Sequence, residues 1–306
     1  MIEPHDPPLP AHAIDRIAAR LGPARELGAV TRLPLKPMVA DYCEKFVALD
    51  TAGRPAAFIV ISPGSHPSAV FDAVEATKKA AQALSTTLAD ALLLPYFVGE
   101  IDGRSYSITA YCRPMSTGRL RGRWQRKRLR PAALAWLAQL TRHSARTIST
   151  LDADVRAPLE SLANHAAVGE ETRRAATAAL GALGDGSWVP RSVLAHNDLW
   201  WGNFVHRDEG NHHEPPFHVI DWAGSDLRGA PFYDLVRLAD SLGMGAHGFG
   251  RELRAHCVIL DCTPESSLHY LSLAMGRLSL NLGEWPAAQF ASTARACLRY
   301  ASAALE

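Results

Sequence analysis

One stretch of the chain carries residues whose types and spacing suit phosphate chemistry. It reads Leu-Ala-His-Asn-Asp-Leu-Trp-Trp-Gly-Asn-Phe over residues 194–204. Within it, Asp198 stands five positions before Asn203. A second aspartate, Asp221, follows Asn203 after 18 positions and closes the apolar run Val219-Ile220. Two carboxylates and one amide therefore lie at defined separations in the sequence, each beside a segment typical of a β-strand.

Phosphoryl transfer from ATP requires a set of groups of this kind. Asp198 is the candidate catalytic base, which orients the acceptor hydroxyl and takes its proton. Asn203 and Asp221 offer an amide oxygen and a carboxylate oxygen, and both are hard ligands suited to Mg²⁺. A single His-x-Asp pair is usually a turn or a helix cap. The combined pattern instead predicts an enzyme that uses ATP and Mg²⁺.

These residues resemble the aminoglycoside phosphotransferase and choline kinase superfamily, which are small-molecule kinases. The catalytic loop of that family reads His-x-Asp-x-x-x-x-Asn, as His196 to Asn203 does here, and its metal-binding aspartate often precedes an aromatic residue, as Asp221 precedes Trp222. The resemblance extends from Val193 to Ala239. It implies that His196 packs and hydrogen-bonds within the loop and that Asp234 braces the loop.

The same resemblance implies an α+β, protein-kinase-like fold with two lobes and ATP between them. The small N-terminal lobe, residues 1–112, would hold an antiparallel sheet with one main helix. The larger, mainly helical C-terminal lobe, residues 113–306, would carry the catalytic and substrate-binding groups. Residues 112–118, which contain Pro114 and Gly118, are the expected hinge.

Hydrophobic periodicity predicts elements in the order that this fold needs. Strand-like alternation and helical spacing assign a leading helix, a hairpin, the small-lobe helix, two further strands and the first large helix. Their predicted bounds are residues 11–22, Tyr42–Asp50 with Pro55–Ser62, Pro67–Leu84, Leu92–Val98 with Ser105–Tyr111, and Pro131–Thr150. Strands around residues 193, 204–206 and 217–220 and helices after residue 234 follow.

The small lobe departs from the kinase pattern because its third strand, Ala56–Ser62, contains no lysine. Kinases use a lysine there to bind the ATP phosphates and pair it with a glutamate on the small-lobe helix. Lys45 on the preceding strand is the predicted replacement, and Glu75 is its predicted partner. Lys78 and Lys79 on the helix are alternatives, and Glu75 also suits an ordinary helical pair with either of them.

The amino-acid composition restricts the class of protein and its cellular location. The 306 residues include 47% hydrophobic and 21% charged residues, which suits a packed two-lobed protein. Five scattered cysteines indicate neither a disulfide framework nor a zinc site, and neither a signal peptide nor a membrane-spanning run is evident. We therefore expect a cytoplasmic protein. The net charge is +1, but residues 119–130 hold seven cations and no acid. This run indicates either a surface that binds nucleic acid or a membrane or, as we favour, a solvated hinge and first helical turn.

The expected activity is phosphorylation of a hydroxyl on a small molecule such as an amino alcohol, a sugar or an aminoglycoside. The chain is too weakly basic overall to predict a nucleic-acid partner. Two alternatives remain: a catalytically impaired kinase fold used for binding, suggested by the missing lysine, and a protein kinase, disfavoured because no Ala-Pro-Glu segment follows Asp221. Trp200 and Trp201 either line the acceptor pocket or pack beneath the loop.

Overall fold

The protein is described by a computed structural model. It covers residues 27–34, 43–116, 118–207, 215–280, 282 and 285–306. The predicted leading helix, residues 11–22, lies outside the described residues.

The N-terminal part is an antiparallel sheet of five strands. They are β1 (Leu27–Arg32), β2 (Glu44–Asp50), β3 (Pro55–Ile61), β4 (Phe97–Ile101) and β5 (Arg104–Ala110), in the spatial order β1-β2-β3-β5-β4. Alternation explains the pairing, because Phe46, Ile59 and Ile108 lie in register and are buried on one face. The predicted β2–β3 hairpin is confirmed. The prediction that a strand starts at Leu92 is wrong, since Leu92 forms only an isolated bridge with Val219.

Two helices follow β3, namely α1 (Ala69–Gln82) and the four-residue α2 (Thr86–Ala89). The prediction of α1 as the main small-lobe helix is confirmed. Its first turn is held to the sheet, because the Val70 N–H donates to Ser62 Oγ at 2.9 Å and the Phe71 N–H to Ser105 Oγ at 3.3 Å. These serines satisfy amides that no intrahelical carbonyl can reach.

Helix α3 (Arg119–Ser144) is longer than predicted at its start and shorter at its end. The prediction began the helix at Pro131, and proline is common at the first position of a helix. The buried stripe instead continues backwards through Leu129, Gln125 and Gly122, and Pro131 lies exposed within the helix. The basic run is therefore three helical turns, not a hinge with one turn. The helix ends where Ala145 leaves the helical conformation.

The C-terminal part is mainly helical and contains short strands. The helices are α4 (Ala157–Asn164), α5 (Glu170–Gly184), α6 (Tyr233–Ser241), α7 (Ala246–Leu260), α8 (Ser266–Leu280) and α9 (Ala287–Ala303), and a π-turn (Asp152–Arg156) precedes α4. The strands β6 (Arg146–Thr147), β7 (Arg191–Ala195) and β10 (Asp226–Gly229) form one sheet in the order β10-β7-β6, and β8 (Phe204–His206) pairs with β9 (Phe217–Val219).

Two apolar cores support these elements. One lies within the five-stranded sheet and the other fills the helical part. The chain around α2 contributes to the helical core, because Leu88 and Leu92 are buried there and the Val219 N–H donates to the Ala91 carbonyl at 2.6 Å. This contact joins the connection after α1 to strand β9. In the described ranges, no helix is long and apolar enough to cross a membrane.

Candidate active site

Asn203 and Asp221 are brought together by the β8–β9 hairpin. Asn203 immediately precedes β8, and Asp221 follows β9 by two residues. The Ile220 N–H donates to the Asn203 carbonyl at 2.9 Å, which holds the two ends of the hairpin side by side. Asn203 is buried, whereas Asp221 is exposed. The hairpin therefore places an amide and an accessible carboxylate in one region, although 18 residues separate them in sequence.

Asp234, in the first turn of α6, is hydrogen-bonded to the loop of residues 196–203, which is the candidate catalytic loop. Its carboxylate accepts the His196 N–H at 2.6 Å and the Asn197 N–H at 2.9 Å. Burial raises the pKa of Asp234, while the His196 ring and the backbone amides of the loop oppose this shift. One buried side chain thus satisfies two consecutive backbone donors of the loop.

His196 uses both of its ring nitrogens within the loop. Nε2 lies 2.9 Å from the Ile220 carbonyl, and Nδ1 lies 3.3 Å from the amide nitrogen of Asp198. Since the carbonyl can only accept and the amide can only donate, the ring carries its proton on Nε2. The ring is buried and lies 4.6 Å from the Trp222 ring, centroid to centroid. His196 therefore links the loop to Ile220, which lies between the end of β9 and Asp221.

The orientation of the Asn203 amide fits a metal-binding role. Nδ2 donates to the Asp198 carbonyl at 2.8 Å and lies 3.4 Å from Asp198 Oδ2. Because Nδ2 faces the loop, Oδ1 is the atom left to accept a cation. The Asp221 carboxylate is an exposed oxygen donor on the residue after Ile220, whose N–H is bonded to the Asn203 carbonyl. The donor set of these two residues fits Mg²⁺, with the remaining positions left for phosphate oxygens and water.

Three residues in or next to the candidate site have strained backbone conformations. Asn197, Asp221 and Phe232 adopt positive φ angles of 65°, 69° and 71°. Asn and Asp tolerate the left-handed region better than other residues with a side chain, but a phenylalanine there is uncommon. Such conformations cost roughly 1–3 kcal/mol each and persist where the surrounding structure imposes them. Among the described residues, Asp102 and Asp261 also have positive φ angles, so this strain is not confined to the candidate site.

Arg237 is a residue of the site that the sequence patterns did not indicate. It lies one turn after Asp234 on α6, and its Nη2 is 2.8 Å from Asp198 Oδ1. Burial by itself lowers the pKa of Arg237, but the hydrogen bond to Asp198 and the nearby acidic groups outweigh this effect and raise it. The only sequence signal was the i,i+3 spacing of Arg237 from Asp234, which places both on one helical face.

The two tryptophans of the loop have different environments. Trp201 is buried, stacks with Phe204 at a centroid distance of 6.1 Å, and donates its backbone N–H to Ser241 Oγ at 2.9 Å. Trp200 is 43% exposed, and its ring covers Gly202, where a Cβ would overlap it. Trp201 therefore packs beneath the loop, and Trp200 is the one available to contact a ligand.

Lys45 lies on β2, in register with Val60 of β3 and Ser107 of β5. Strand alternation puts it on the sheet face that also carries Ser105, to which the first turn of α1 is bonded. The neighbouring Glu44 is buried on the opposite face and pairs with two arginines, Arg32 and Arg104, each at 2.8 Å. Lys45 thus occupies the helix-bearing face of the sheet.

Glu75 forms an ion pair with Lys78, Oε1 to Nζ, at 2.7 Å. This hydrogen bond lowers the pKa of Glu75. The pair is the ordinary helical alternative that the sequence left open. Glu75 and Lys79 nevertheless line a cleft of about 320 Å³ between α1 and the segment after Asp221, together with Ser225 and Leu227. The helix therefore presents both an acid and a cation to a cleft whose opposite wall includes Ser225 and Leu227, four and six residues after Asp221.

A prediction about the lysine follows from this arrangement. Replacing Lys45 by alanine should raise the Michaelis constant for ATP and lower turnover, because charge near the α- and β-phosphates is needed in a closing cleft. Lys78→Ala is the matched control, since Lys78 pairs with Glu75 on the surface, and it should have a smaller effect. Lys79→Ala should also be milder. If Lys45→Ala behaves as wild type while Lys79→Ala loses ATP binding, the phosphate-binding lysine is on α1.

Comparison with known proteins identifies the fold. No family model and no curated protein sequence matches this chain. Among solved structures, the GDP complex of aminoglycoside 2'-phosphotransferase-IIIa aligns over 96% of this chain and 98% of its own, with a TM-score of 0.57 and 13% identity. Choline kinase LicA from Streptococcus pneumoniae aligns over 95% and 99%, with a TM-score of 0.56 and 13% identity. Its AMP complex gives 0.53 at 15% identity, with 94% and 96% covered.

The chain therefore has the α+β, protein-kinase-like fold found in aminoglycoside phosphotransferases and choline kinases. The aligned structures match nearly end to end, so the likeness includes both the sheet and the helical part. This agrees with the fold that the residues between Val193 and Ala239 imply.

Proposed function

We propose that this protein is an ATP- and Mg²⁺-dependent phosphotransferase that moves the γ-phosphate to a hydroxyl of a small molecule. The observation that carries the proposal is the joint placement of Asp198, Asn203 and Asp221 at one end of the β8–β9 hairpin, held there by Asp234 and His196. The solved structures of the same fold include complexes with GDP and AMP, which supports nucleotide binding.

In this reaction Asp198 would orient the acceptor hydroxyl and accept its proton. Its side chain is 50% exposed, so an acceptor can reach it. Arg237 occupies Oδ1 and the Asn203 amide lies near Oδ2, so the carboxylate is held in one orientation. In phosphoryl transfer there is little covalent chemistry for the protein to perform, and positioning of this kind supplies much of the catalysis.

Asn203 Oδ1 and the Asp221 carboxylate would hold Mg²⁺, and Lys45 would bind the ATP phosphates with Glu75 on α1 nearby. The metal would neutralise phosphate charge and orient the γ-phosphate. The chain's own contribution is to keep both ligands rigid: Asp221 through its left-handed backbone and the Ile220 contact, and Asn203 through its bond to the Asp198 carbonyl.

Arg237 would act as a positioning residue for Asp198. Arg237→Gln should lower turnover by roughly tenfold, because Asp198 loses the contact that fixes its carboxylate in the orientation needed for the hydroxyl. The Michaelis constant for ATP should stay near the wild-type value, because Arg237 contacts the base and not the metal ligands. Steady-state kinetics measures both constants.

Arg237→Lys is the informative comparison for this residue. This substitution keeps the positive charge but loses the planar guanidinium group, so its turnover should lie between that of Arg237→Gln and that of the wild-type protein. A thermal melt of each variant shows whether a loss of turnover comes from a misplaced Asp198 carboxylate or from a less stable fold. Equal turnover in the wild-type, Gln and Lys proteins would show that the Arg237–Asp198 pair has no role in the reaction.

The acceptor is to be found by an ATP-consumption screen against sugars, amino alcohols and aminoglycosides, with GTP as the alternative donor. Arg237 places a positive charge beside the hydroxyl position, and like charges disfavour an ammonium group there. Neutral and anionic alcohols therefore come first in the screen. Tight Mg²⁺-nucleotide binding without turnover on any acceptor would favour the alternative, a kinase fold used for binding.

A further inference from the structure

The first three turns of α3 present a basic surface that the proposed reaction does not use. We name it the basic helix face, and it consists of Arg119, Leu120, Arg121, Arg123, Trp124, Lys127 and Arg128, all of which are exposed. Seven cations occur in residues 119–130 without an acid. The opposite side of the helix carries the buried residues Gly122, Gln125 and Leu129.

These cations have no ionic partner among the residues that the structure describes. In the part of the chain that the structure describes, no ion pair involves any cation of residues 119–130. Cations elsewhere, such as Arg54 and Arg156, pair with an acid one turn away. Within the basic helix face, one cation–π contact occurs, between Arg128 and the Trp124 ring at 5.3 Å. The charges are therefore free to act on another molecule.

The arrangement also opposes the stability of the helix itself. Cations in the first turn face the positive end of the helix dipole, and the first turn of α3 contains no acid. Arg119, Arg123 and Lys127 succeed one another at four-residue intervals, so like charges are neighbours on the helix surface. The helix dipole by itself favours acidic residues at the N-terminal end of α3. A cluster of cations there indicates a binding role.

Two large apolar side chains stand in the middle of these charges. Leu120 is 84% exposed and Trp124 is 59% exposed, and they are one turn apart on the same face. An exposed leucine and tryptophan ringed by arginine and lysine suit the boundary between lipid headgroups and acyl chains. Tryptophan in particular favours that boundary.

We propose that the basic helix face binds an anionic lipid bilayer, with the first half of α3 lying in the plane of the interface. A flat membrane requires only one exposed helix face, which spans about 18 Å here. A nucleic acid fits less well, because leucine offers no π-face for a base and the chain as a whole balances 32 cations with 31 acids.

The helix is firmly joined to the connection between the lobes. Gln125 Oε1 accepts the Ser116 N–H at 2.7 Å, and Gln125 Nε2 lies 3.0 Å from His206 Nε2. Gly122 lies against the Ser116 carbonyl, where a Cβ would clash. A membrane bound to the exposed side would therefore hold the whole protein in one orientation, through the strand that follows the catalytic loop.

Vesicle flotation of the full-length protein tests this inference. Vesicles of phosphatidylcholine with phosphatidylglycerol should bind it, vesicles of phosphatidylcholine alone should not, and added salt should weaken binding. Each cation near such a surface is worth roughly a fivefold change in partitioning, so Arg123→Glu with Lys127→Glu should weaken binding by about 20-fold or more. Acids near the helix start favour folding, so these variants should remain folded.

Matched controls distinguish the contribution of the basic helix face to vesicle binding from the contribution of the protein's net charge. Arg254→Glu with Arg295→Glu makes the same charge change at two other exposed cations and should leave most of the binding intact. Leu120→Ser with Trp124→Ser should weaken binding, whereas Val258→Ser, at a site that is 82% exposed, should not. A blue shift in tryptophan emission on vesicle addition should disappear in Trp124→Phe.

Three results would overturn the inference. One is the absence of binding to anionic vesicles. Another is an equal loss of binding in the control pair at Arg254 and Arg295. The third is tight binding of a single-stranded oligonucleotide that depends on Arg123 and Lys127 while vesicles do not bind, which would make the partner a nucleic acid.

Discussion

Replacement of Asp198 by asparagine should lower turnover by a factor of roughly 10² or more while ATP affinity barely changes. The substitution keeps the shape of the side chain but removes the proton acceptor and the negative charge that pairs with Arg237. The affinity for ATP should persist because the expected metal ligands, Asn203 and Asp221, are untouched. Turnover is measured by ATP consumption with an accepted substrate, and affinity by calorimetry.

Asp240→Asn is the control for Asp198→Asn, because Asp240 is an exposed aspartate on α6, the helix that also carries Arg237. It makes the same chemical change without touching the catalytic loop and should retain wild-type turnover. An Asp198→Asn variant that keeps most of its turnover would assign Asp198 a structural role and would remove the base from the proposed mechanism.

Loss of the Asp221 carboxylate should abolish the dependence of nucleotide binding on Mg²⁺. In the wild-type protein, added Mg²⁺ should tighten ATP binding strongly, because the ion would join phosphate oxygens to Asn203 and Asp221. Asp221→Ala removes the charged ligand, so ATP affinity should be the same with and without the metal. Isothermal titration calorimetry in Mg²⁺ and in a chelator gives the comparison.

Backbone strain complicates the Asp221→Ala result, because Asp221 has a φ of 69° and alanine tolerates the left-handed region poorly. Asp221→Gly removes the carboxylate without that penalty and should behave in the same way. Asp102→Ala makes the same change at another left-handed aspartate, in the β4–β5 turn, and should keep the Mg²⁺ effect. Equal ATP affinity with and without Mg²⁺ in the wild-type protein would contradict the kinase assignment.

Much of the fold was predictable because it depends on local periodicity. The β2–β3 hairpin, helix α1, strand β5 and the helices after Asp234 agree with the patterns of apolar residues that produce them. Strand β1 was missed, since its six residues, Leu27–Arg32, have weak alternation and are recognised only through pairing with β2. The start of α3 was misplaced, because only packing shows that the buried side of the helix continues before Pro131 and that the helix runs through this proline.

The sequence by itself determined which groups of the candidate site are available and at what spacing. Asp198, Asn203 and Asp221 were identified from short-range order, because the loop and the hairpin that carry them are encoded by adjacent residues. Tertiary structure decided the contacts between distant residues. The Arg237–Asp198 pair joins positions 39 residues apart, and Asp234 reaches amides 37 and 38 residues earlier.

Tertiary structure likewise decided the environments of individual side chains. Trp200 and Trp201 are equivalent in sequence, yet the backbone turn that places Asn203 buries one and exposes the other. Glu75 can reach either a helical neighbour or the sheet, and in the structure its partner is Lys78. Local spacing limits which pairs of side chains are possible. Which of these pairs forms depends on burial and on competition with long-range contacts. Both burial and such competition arise only when the chain is packed.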